Sequence, residues 1–413
     1  MLNKSGSWAA ILASLLLSSL VLADGRGTSG MAVSNWIGTV LIGNPDVQAG
    51  QAAVDAALAR ASAADQPLFN PELEFDYERT DINISSLGLS QTIDWSNKRG
   101  AHKAIAEVGV RTARVELSQR RQLLAAELLS KLSAFQAAGE LETIARSGSQ
   151  LMTRFADLSQ RRWEAGDVGQ IELDLARLAT AEADFALASA SSQRIIQKQA
   201  LRALAGLIQI DVPMLPELPP LIESAERNKE SLMAALPSVQ STRARMDSAR
   251  SEVDLRLREK RPDPTVGFRI GKEDQESLAG VTLSIPLFVR NTFNAEVEAA
   301  NADLIQAQQE ALNTQRQTSA RYDASAQRYQ VMRDSWQVWK AGGQASLDPQ
   351  SSVLERLWRA GELSTTDYLV QVKQVMETQA GAIEQHGQMW QAWVEWLIAS
   401  GQVEQWLNLS GAQ

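Results

Sequence analysis

Two short stretches of strict alternation, set in a chain that otherwise reads as helix, limit what this sequence can fold into. Over residues 264–288, Val266, Phe268 and Ile270 alternate with Gly267, Arg269 and Gly271. After the polar run 272–277 the alternation resumes as Val281, Leu283 and Ile285 against Thr282, Ser284 and Pro286. A period of two is the mark of a strand with one apolar and one polar face, so this stretch predicts a β-hairpin. The same pattern occurs earlier, with Leu73, Phe75 and Tyr77 against Glu74, Asp76 and Glu78, then Leu87, Leu89 and Ile93 against Gly88, Ser90 and Thr92. Strands are expected at about 71–81, 86–95, 264–272 and 278–288.

A single hairpin of this kind suits a half-buried ribbon on a soluble core. Four strands in a helical chain raise a second possibility, because each is about the length a tilted strand needs to cross a bilayer. Four strands cannot close a barrel, since the smallest membrane barrels have about eight, and open edges in lipid leave backbone groups unpaired at several kcal/mol each. A membrane sheet made from this chain therefore needs several copies. In it, period two turns Leu73, Phe75, Tyr77, Val281, Leu283 and Ile285 toward lipid and Glu74, Asp76, Glu78, Thr282 and Ser284 toward the lumen.

Residues 1–23 carry Lys4 as their only charge, run apolar from Trp8 to Leu22 and end Val21-Leu22-Ala23. They read as a signal peptide cleaved after Ala23, the apolar core being short for a span of about 20 residues. The sequence has no cysteine, which excludes disulfides, thiolate metal sites and cysteine nucleophiles. A net charge of −9 argues against a nucleic-acid partner. No later run of 18 apolar residues exists, so an exported chain of this kind enters a membrane only as a barrel.

Residues 24–43 are rich in Gly, Ser and Thr near their start and are expected to form a flexible leader. Asn44-Pro45 supplies an N-cap and a proline at the first helical position, opening an alanine-rich helix to about 64. A first repeat, 44–210, then carries its hairpin and a long helical hairpin, 98–207, with its tip near Gly166. Its outgoing helix, about 60 residues without proline, far exceeds the globular mean of about 12 and implies a coiled-coil-like rod. A linker, 211–222, holds Pro213, Pro216, Pro219 and Pro220. The second repeat, 223–413, follows in register: Pro237 lies 192 residues after Pro45, Gly280 after Gly88 and Ile285 after Ile93. Its helical hairpin, 291–407, turns near Gly361. There Trp358-Arg359-Ala360-Gly361 matches Trp163-Glu164-Ala165-Gly166 at an offset of 195. The three extra residues point to an interruption near Gly342-Gly343 and Pro349. Trp390, Trp393 and Trp396 recur at helical spacing and are expected in the core.

The two histidines, His102 and His386, fall on different helices with no nucleophile or carboxylate at catalytic spacing, so no enzyme, cofactor or metal site is expected. The competing reading is a periplasmic coiled-coil adaptor or scaffold without a channel. An adaptor usually adds a compact β-rich docking domain, which the strand pattern lacks.

The order of helix, strand pair and long helical hairpin, duplicated, resembles the TolC family of outer-membrane efflux proteins. Asn70-Pro71-Glu72-Leu73, Leu283-Ser284-Ile285-Pro286-Leu287 and the aromatic-x-x-Gly turns carry the likeness, which looks strongest to the heavy-metal-type, CzcC-like subgroup. The resemblance implies a mainly α fold with a small β part, and a homotrimer joining four strands per chain into a twelve-strand outer-membrane barrel above a periplasmic helical tunnel. It implies an exit duct for metal cations or small toxic compounds, with a periplasmic adaptor, an inner-membrane pump and outer-membrane lipid as partners. By position, Trp163, Gly166, Asp167, Trp358, Gly361 and Glu362 would form the periplasmic tip that meets the adaptor. Glu172 and Asp367 would line the entrance gate. Leu363 and Val370 depart from the family's gating pattern, where some members place an arginine and a second acid. The plainer readings are a helix C-cap for each glycine and a solvated helix face for the two acids.

Overall fold

The computed structural model describes residues 25–79, 81–206, 212–222, 229–344 and 350–407. The expected signal peptide, Asp211, Pro349 and the last six residues lie outside them. A helix α1 (Gly25–Gly43) leads the chain, which corrects the expected flexible leader. Val33, Trp36, Ile37, Val40 and Leu41 recur at i, i+3, i+4, i+7 and i+8, one face of a helix, and all are buried. Packing of that stripe against Leu124, Leu128 and Leu132 outweighs the weak helix propensity of the Gly, Ser and Thr around it. Helix α2 (Pro45–Ala64) begins at the Asn-Pro pair, where the Asn44 side chain accepts a hydrogen bond from the Asp46 amide at 2.9 Å.

Strands β1 (Glu72–Arg79), β2 (Asn83–Thr92), β3 (Thr265–Glu273) and β4 (Glu276–Ser284) form one antiparallel sheet in the order β1-β2-β3-β4. The two hairpins, nearly 200 residues apart in sequence, thus pair through β2 and β3. Leu89 faces Leu73 and Phe268, and Phe268 faces Val281. Ile285, expected within the last strand, follows its end. Among the described residues, both outer strands have an unpaired edge.

From the sheet, α3 (Lys98–Glu164) runs 67 residues, about 100 Å at 1.5 Å per residue. Its start is firmly capped: the Asp94 carboxylate accepts from the Lys98 and Arg99 amides, and the Asn97 side chain from the Gly100 amide. The chain returns along α4 (Gln170–Ala205). Helices α5 (Lys229–Ala235) and α6 (Pro237–Glu259) precede the second hairpin. Then α7 (Asn294–Val338) passes into a π turn, Trp339–Gly343, and α8 (Gln350–Arg359) reaches the second tip. Helix α9 (Thr365–Ser400) returns, followed by α10 (Val403–Trp406). The π turn falls where the repeat offset lengthens. There the Trp339 ring lies so close over Gly343 that a Cβ at 343 would sit 2.2 Å from it.

Helix α3 packs on α2, α4, α6 and α9, and α7 packs on α6 and α9. Two apolar clusters hold this bundle. One, at its waist, joins the α1 stripe to Leu128, Leu129 and Leu132 of α3 and to Met389, Trp390, Trp393, Trp396 and Leu397 of α9. The tryptophan series is therefore core, with the Trp390 and Trp393 rings edge to face at 5.3 Å. The proline-rich segment is strapped across this waist. The Gln136 amide donates to the Pro213 carbonyl at 2.8 Å, the Tyr329 hydroxyl to the Pro220 carbonyl at 2.9 Å and Arg333 to the Pro219 carbonyl at 2.6 Å. The second cluster lies at the far end of the helices.

Candidate functional site

The sheet separates its side chains by chemistry. One face carries Leu73, Phe75, Leu87, Leu89, Val266, Phe268, Ile270, Val281 and Leu283, with Tyr77 beside them. None is covered by the chain: Leu73 is 72 %, Phe75 73 % and Val281 76 % exposed. An apolar face this size on a single chain marks a surface that meets lipid or another protein. The opposite face carries Glu74, Asp76, Glu78, Thr282 and Ser284, as the alternation predicts, and adds Ser86, Ser90, Arg269 and four glycines. The Ser86 hydroxyl donates to Asp76 at 3.2 Å and the Ser90 hydroxyl to Glu74 at 3.4 Å. Although polar, Ser86 is only 4 % exposed.

Glycine matters most here at Gly271, where a Cβ would meet the Ser85 carbonyl oxygen at 2.2 Å and the Ser86 Cα at 2.8 Å. Backbones crowd together on this polar face. Gly88, Gly267 and Gly280 on the same face leave room for the neighbouring side chains, as when Arg269 lies across Gly280. Glycine kinks of this kind are among the devices that let a sheet bend.

The far end of the helices is built twice on one plan. Gly166 has φ +81° and Gly361 φ +75°, the left-handed region that ends a helix without steric cost only for glycine. The Asp167 amide donates to the Arg162 carbonyl at 2.8 Å and the Gly166 amide to the Trp163 carbonyl at 2.9 Å. The Glu362 and Gly361 amides repeat both bonds to Leu357 and Trp358, each at 3.0 Å. This pairing satisfies the last carbonyls of α3 and α8 and reverses the chain. Asp167 and Glu362 are left exposed at the apex.

The two tryptophans of these turns part company. Trp163 is 40 % exposed, whereas Trp358 is 3 % exposed. The Trp358 ring lies 4.6 Å from Phe155 and 5.1 Å from Tyr368, and its indole N–H donates to the Thr365 hydroxyl at 3.3 Å. Trp358 is thus corrected from a partner-contacting residue to the core of the tip. Phe155 and Tyr368, which sequence reasoning missed, complete that core with Met152, Ala176, Leu354, Val372 and Val375. Burial pushes the Tyr368 hydroxyl up to about 12. Leu363 packs against the same cluster, which gives a physical reason for leucine there; Val370 is exposed.

Glu172 and Asp367 occupy matching places in the first turns of α4 and α9, where a carboxylate offsets the positive end of the helix dipole. Asp367 has a further task. The Ser364 hydroxyl accepts from the Asp367 amide at 3.1 Å and donates to the Asp367 carboxylate at 2.7 Å, closing the start of α9. The signal for this was Ser364 three residues before an acid. Helices α4 and α9 are joined further along by Lys373 and Glu182 at 2.6 Å.

Residues 36–207 match the family model for outer membrane efflux proteins. The Campylobacter jejuni CmeC outer membrane channel superposes with TM-score 0.76 over 89 % of this chain and 85 % of that one, at 14 % identity. The fold is that of the TolC-type outer-membrane channels. The outer membrane protein VceC of Vibrio cholerae gives TM-score 0.74 at 15 % identity, covering 90 % and 96 % of the two chains. The open-state outer membrane channel MtrE of Neisseria gonorrhoeae gives 0.72 at 12 % identity, covering 89 % and 88 %. In sequence, the chain is 27 % identical over 252 residues to the cobalt-zinc-cadmium resistance protein CzcC of Cupriavidus metallidurans. That match takes in 57 % of this chain and 59 % of the length of CzcC. The family match covers the first repeat, and the fold extends the likeness through the second.

Proposed function

We propose that this chain is one protomer of an outer-membrane exit duct, passively conducting substrates that an inner-membrane pump and a periplasmic adaptor deliver. The observation that carries the proposal is the sheet. Its apolar face is bare, its polar face is lined with glycine and small polar residues, and among the described residues its two edges are open. Three copies joined edge to edge give twelve strands, close every backbone hydrogen bond and turn the apolar face to lipid. The α3 and α4 pair and its repeat then hang about 100 Å below the barrel, placing the tips at Gly166 and Gly361 within reach of periplasmic partners. The exposed Trp163, Asp167 and Glu362 are the tip residues we assign to the adaptor contact.

The cargo we assign is metal cations, as the likeness to CzcC suggests and the acids of the lumenal face favour. Glu74, Asp76 and Glu78 repeated three times give a passage that attracts cations. Glu172 and Asp367 at the narrow end act in the same sense. Purified protein in a planar bilayer is expected to conduct with cation preference. In Glu172→Gln with Asp367→Asn, the amide still accepts the Ser364 hydrogen bond while two charges per chain are lost. Conductance should rise or cation preference fall. Wild-type protein that forms no channel would overturn the duct, and an unchanged double variant would remove these acids from the gate.

A further inference from the structure

The tip carries a charge imbalance that its helix caps do not require. Arg154, Asp157, Leu158 and Arg161 fall at i, i+3, i+4 and i+7 of α3 and make one stripe along it. Together with Arg162, and with Arg359 of α8, they line a cleft of about 680 Å³. Four guanidinium groups share that cleft with one carboxylate, in a chain whose net charge is −9. Two of the four are engaged: Arg359 pairs with Glu355, and the Arg162 guanidinium sits 5.7 Å over the Trp358 ring. Arg154 and Arg161 are exposed and make no ion pair with any carboxylate among the described residues, although Glu142, Asp174 and Glu355 pair with other arginines nearby on these helices.

We propose that this arginine cleft docks an acidic helical segment of a protein partner. The inference rests on the duct reading, which puts the tip where a second protein can reach it. Arg154 and Arg161 are seven residues apart, a rise of about 10.5 Å, the same as between positions i and i+7 of a helix laid alongside. Carboxylates at those two positions accept from both guanidinium groups, whose planar forks suit two-pronged bonding to a carboxylate. Leu158, between them, takes an apolar side chain, and Asp157 faces a basic one. Lipid phosphates around the sheet lie about 100 Å away along α3 and do not compete.

The test uses full-length mature protein in detergent and a fluorescent helical peptide with Glu at positions i and i+7 flanking a Leu. Binding is followed by anisotropy at low salt and at about 0.5 M salt, where exposed charge pairs are screened. The peptide should bind wild type, weaken with salt, and bind R154Q/R161Q at least about tenfold less tightly, as expected for losing charge-assisted pairs. Arg316, exposed on α7 outside the cleft, supplies the control R316Q, which should bind as wild type. Undiminished binding by R154Q/R161Q, or equal binding of a peptide with Gln in place of Glu, overturns the proposal. So does dissociation of the oligomer in that variant, which would assign the cleft to a neighbouring copy. Capture of phosphatidylglycerol vesicles through Arg154 and Arg161 without peptide binding overturns it in favour of phosphate. Planar-bilayer conductance keeps the two readings apart: R154Q/R161Q should conduct as wild type while losing the peptide, whereas a non-conducting wild type defeats the duct reading alone.

Discussion

Glu142, about two-thirds of the way along α3, shows how single side chains hold the rod together. It is buried, yet it accepts from Arg194 at 2.5 Å and Ser191 at 2.9 Å on α4 and from Arg146 at 2.8 Å on its own helix. The Arg194 hydrogen bond, with help from Ser191 and the charge of Arg146, holds its carboxyl below the ordinary value of 4.5. A group whose folded pKa is depressed contributes stability above its unfolded value, and that contribution is lost as pH falls through the folded one. Wild type should therefore lose thermal stability below about pH 4.5. Glu142→Gln should be less stable at pH 7 and flatter in its response to acid, as read by circular dichroism melts. At the tip, Ser364→Ala removes one cap bond and should cost about 1 kcal/mol, measured as loss of helicity or Tm, while Ser364→Asp should restore most of it. That motif was written in the sequence as Ser364 and Asp367. The acid could equally be read as a gate residue, because a local cap and a distant electrostatic role use the same side chain.

At the scale of elements, the hairpins were the most legible feature, because period two survives without knowledge of any partner. The sheet order was not, since pairing β2 with β3 joins residues 84–92 to residues 265–273 across nearly the whole first repeat. Helix α1 was misjudged on composition. Its stripe from Val33 to Leu41 was present in the sequence, but the glycine and serine ahead of it masked a face whose stability comes from α3. The tip core was hidden for a related reason: Phe155, Trp358 and Tyr368 come from three helices, and only the fold brings them together. The strand faces give the sharpest test at this scale. Leu283→Arg puts a charge on the apolar face and should cost about 2 to 4 kcal/mol in the membrane, whereas Thr282→Arg lies on the polar face and should cost less. Heat-resistant assembly on gels separates them, and equal losses would mean that the sheet does not meet lipid.

For the whole molecule, duplication explains why one chain carries two hairpins and two helical hairpins, and why its tips share one backbone plan at Gly166 and Gly361. The repeats then diverge by use. The first keeps α3 unbroken for 67 residues, while the second breaks at the π turn beside the strapped proline segment. What the chain cannot do alone is close its sheet. The apolar face is bare and, among the described residues, the outer edges of β1 and β4 face no other strand. The central claim is that copies complete it, and the number of subunits in the detergent-solubilised mature protein tests this most directly. Light scattering corrected for bound detergent should give three chains per particle, with strand content intact by circular dichroism; a stable monomer retaining that strand content would contradict the account.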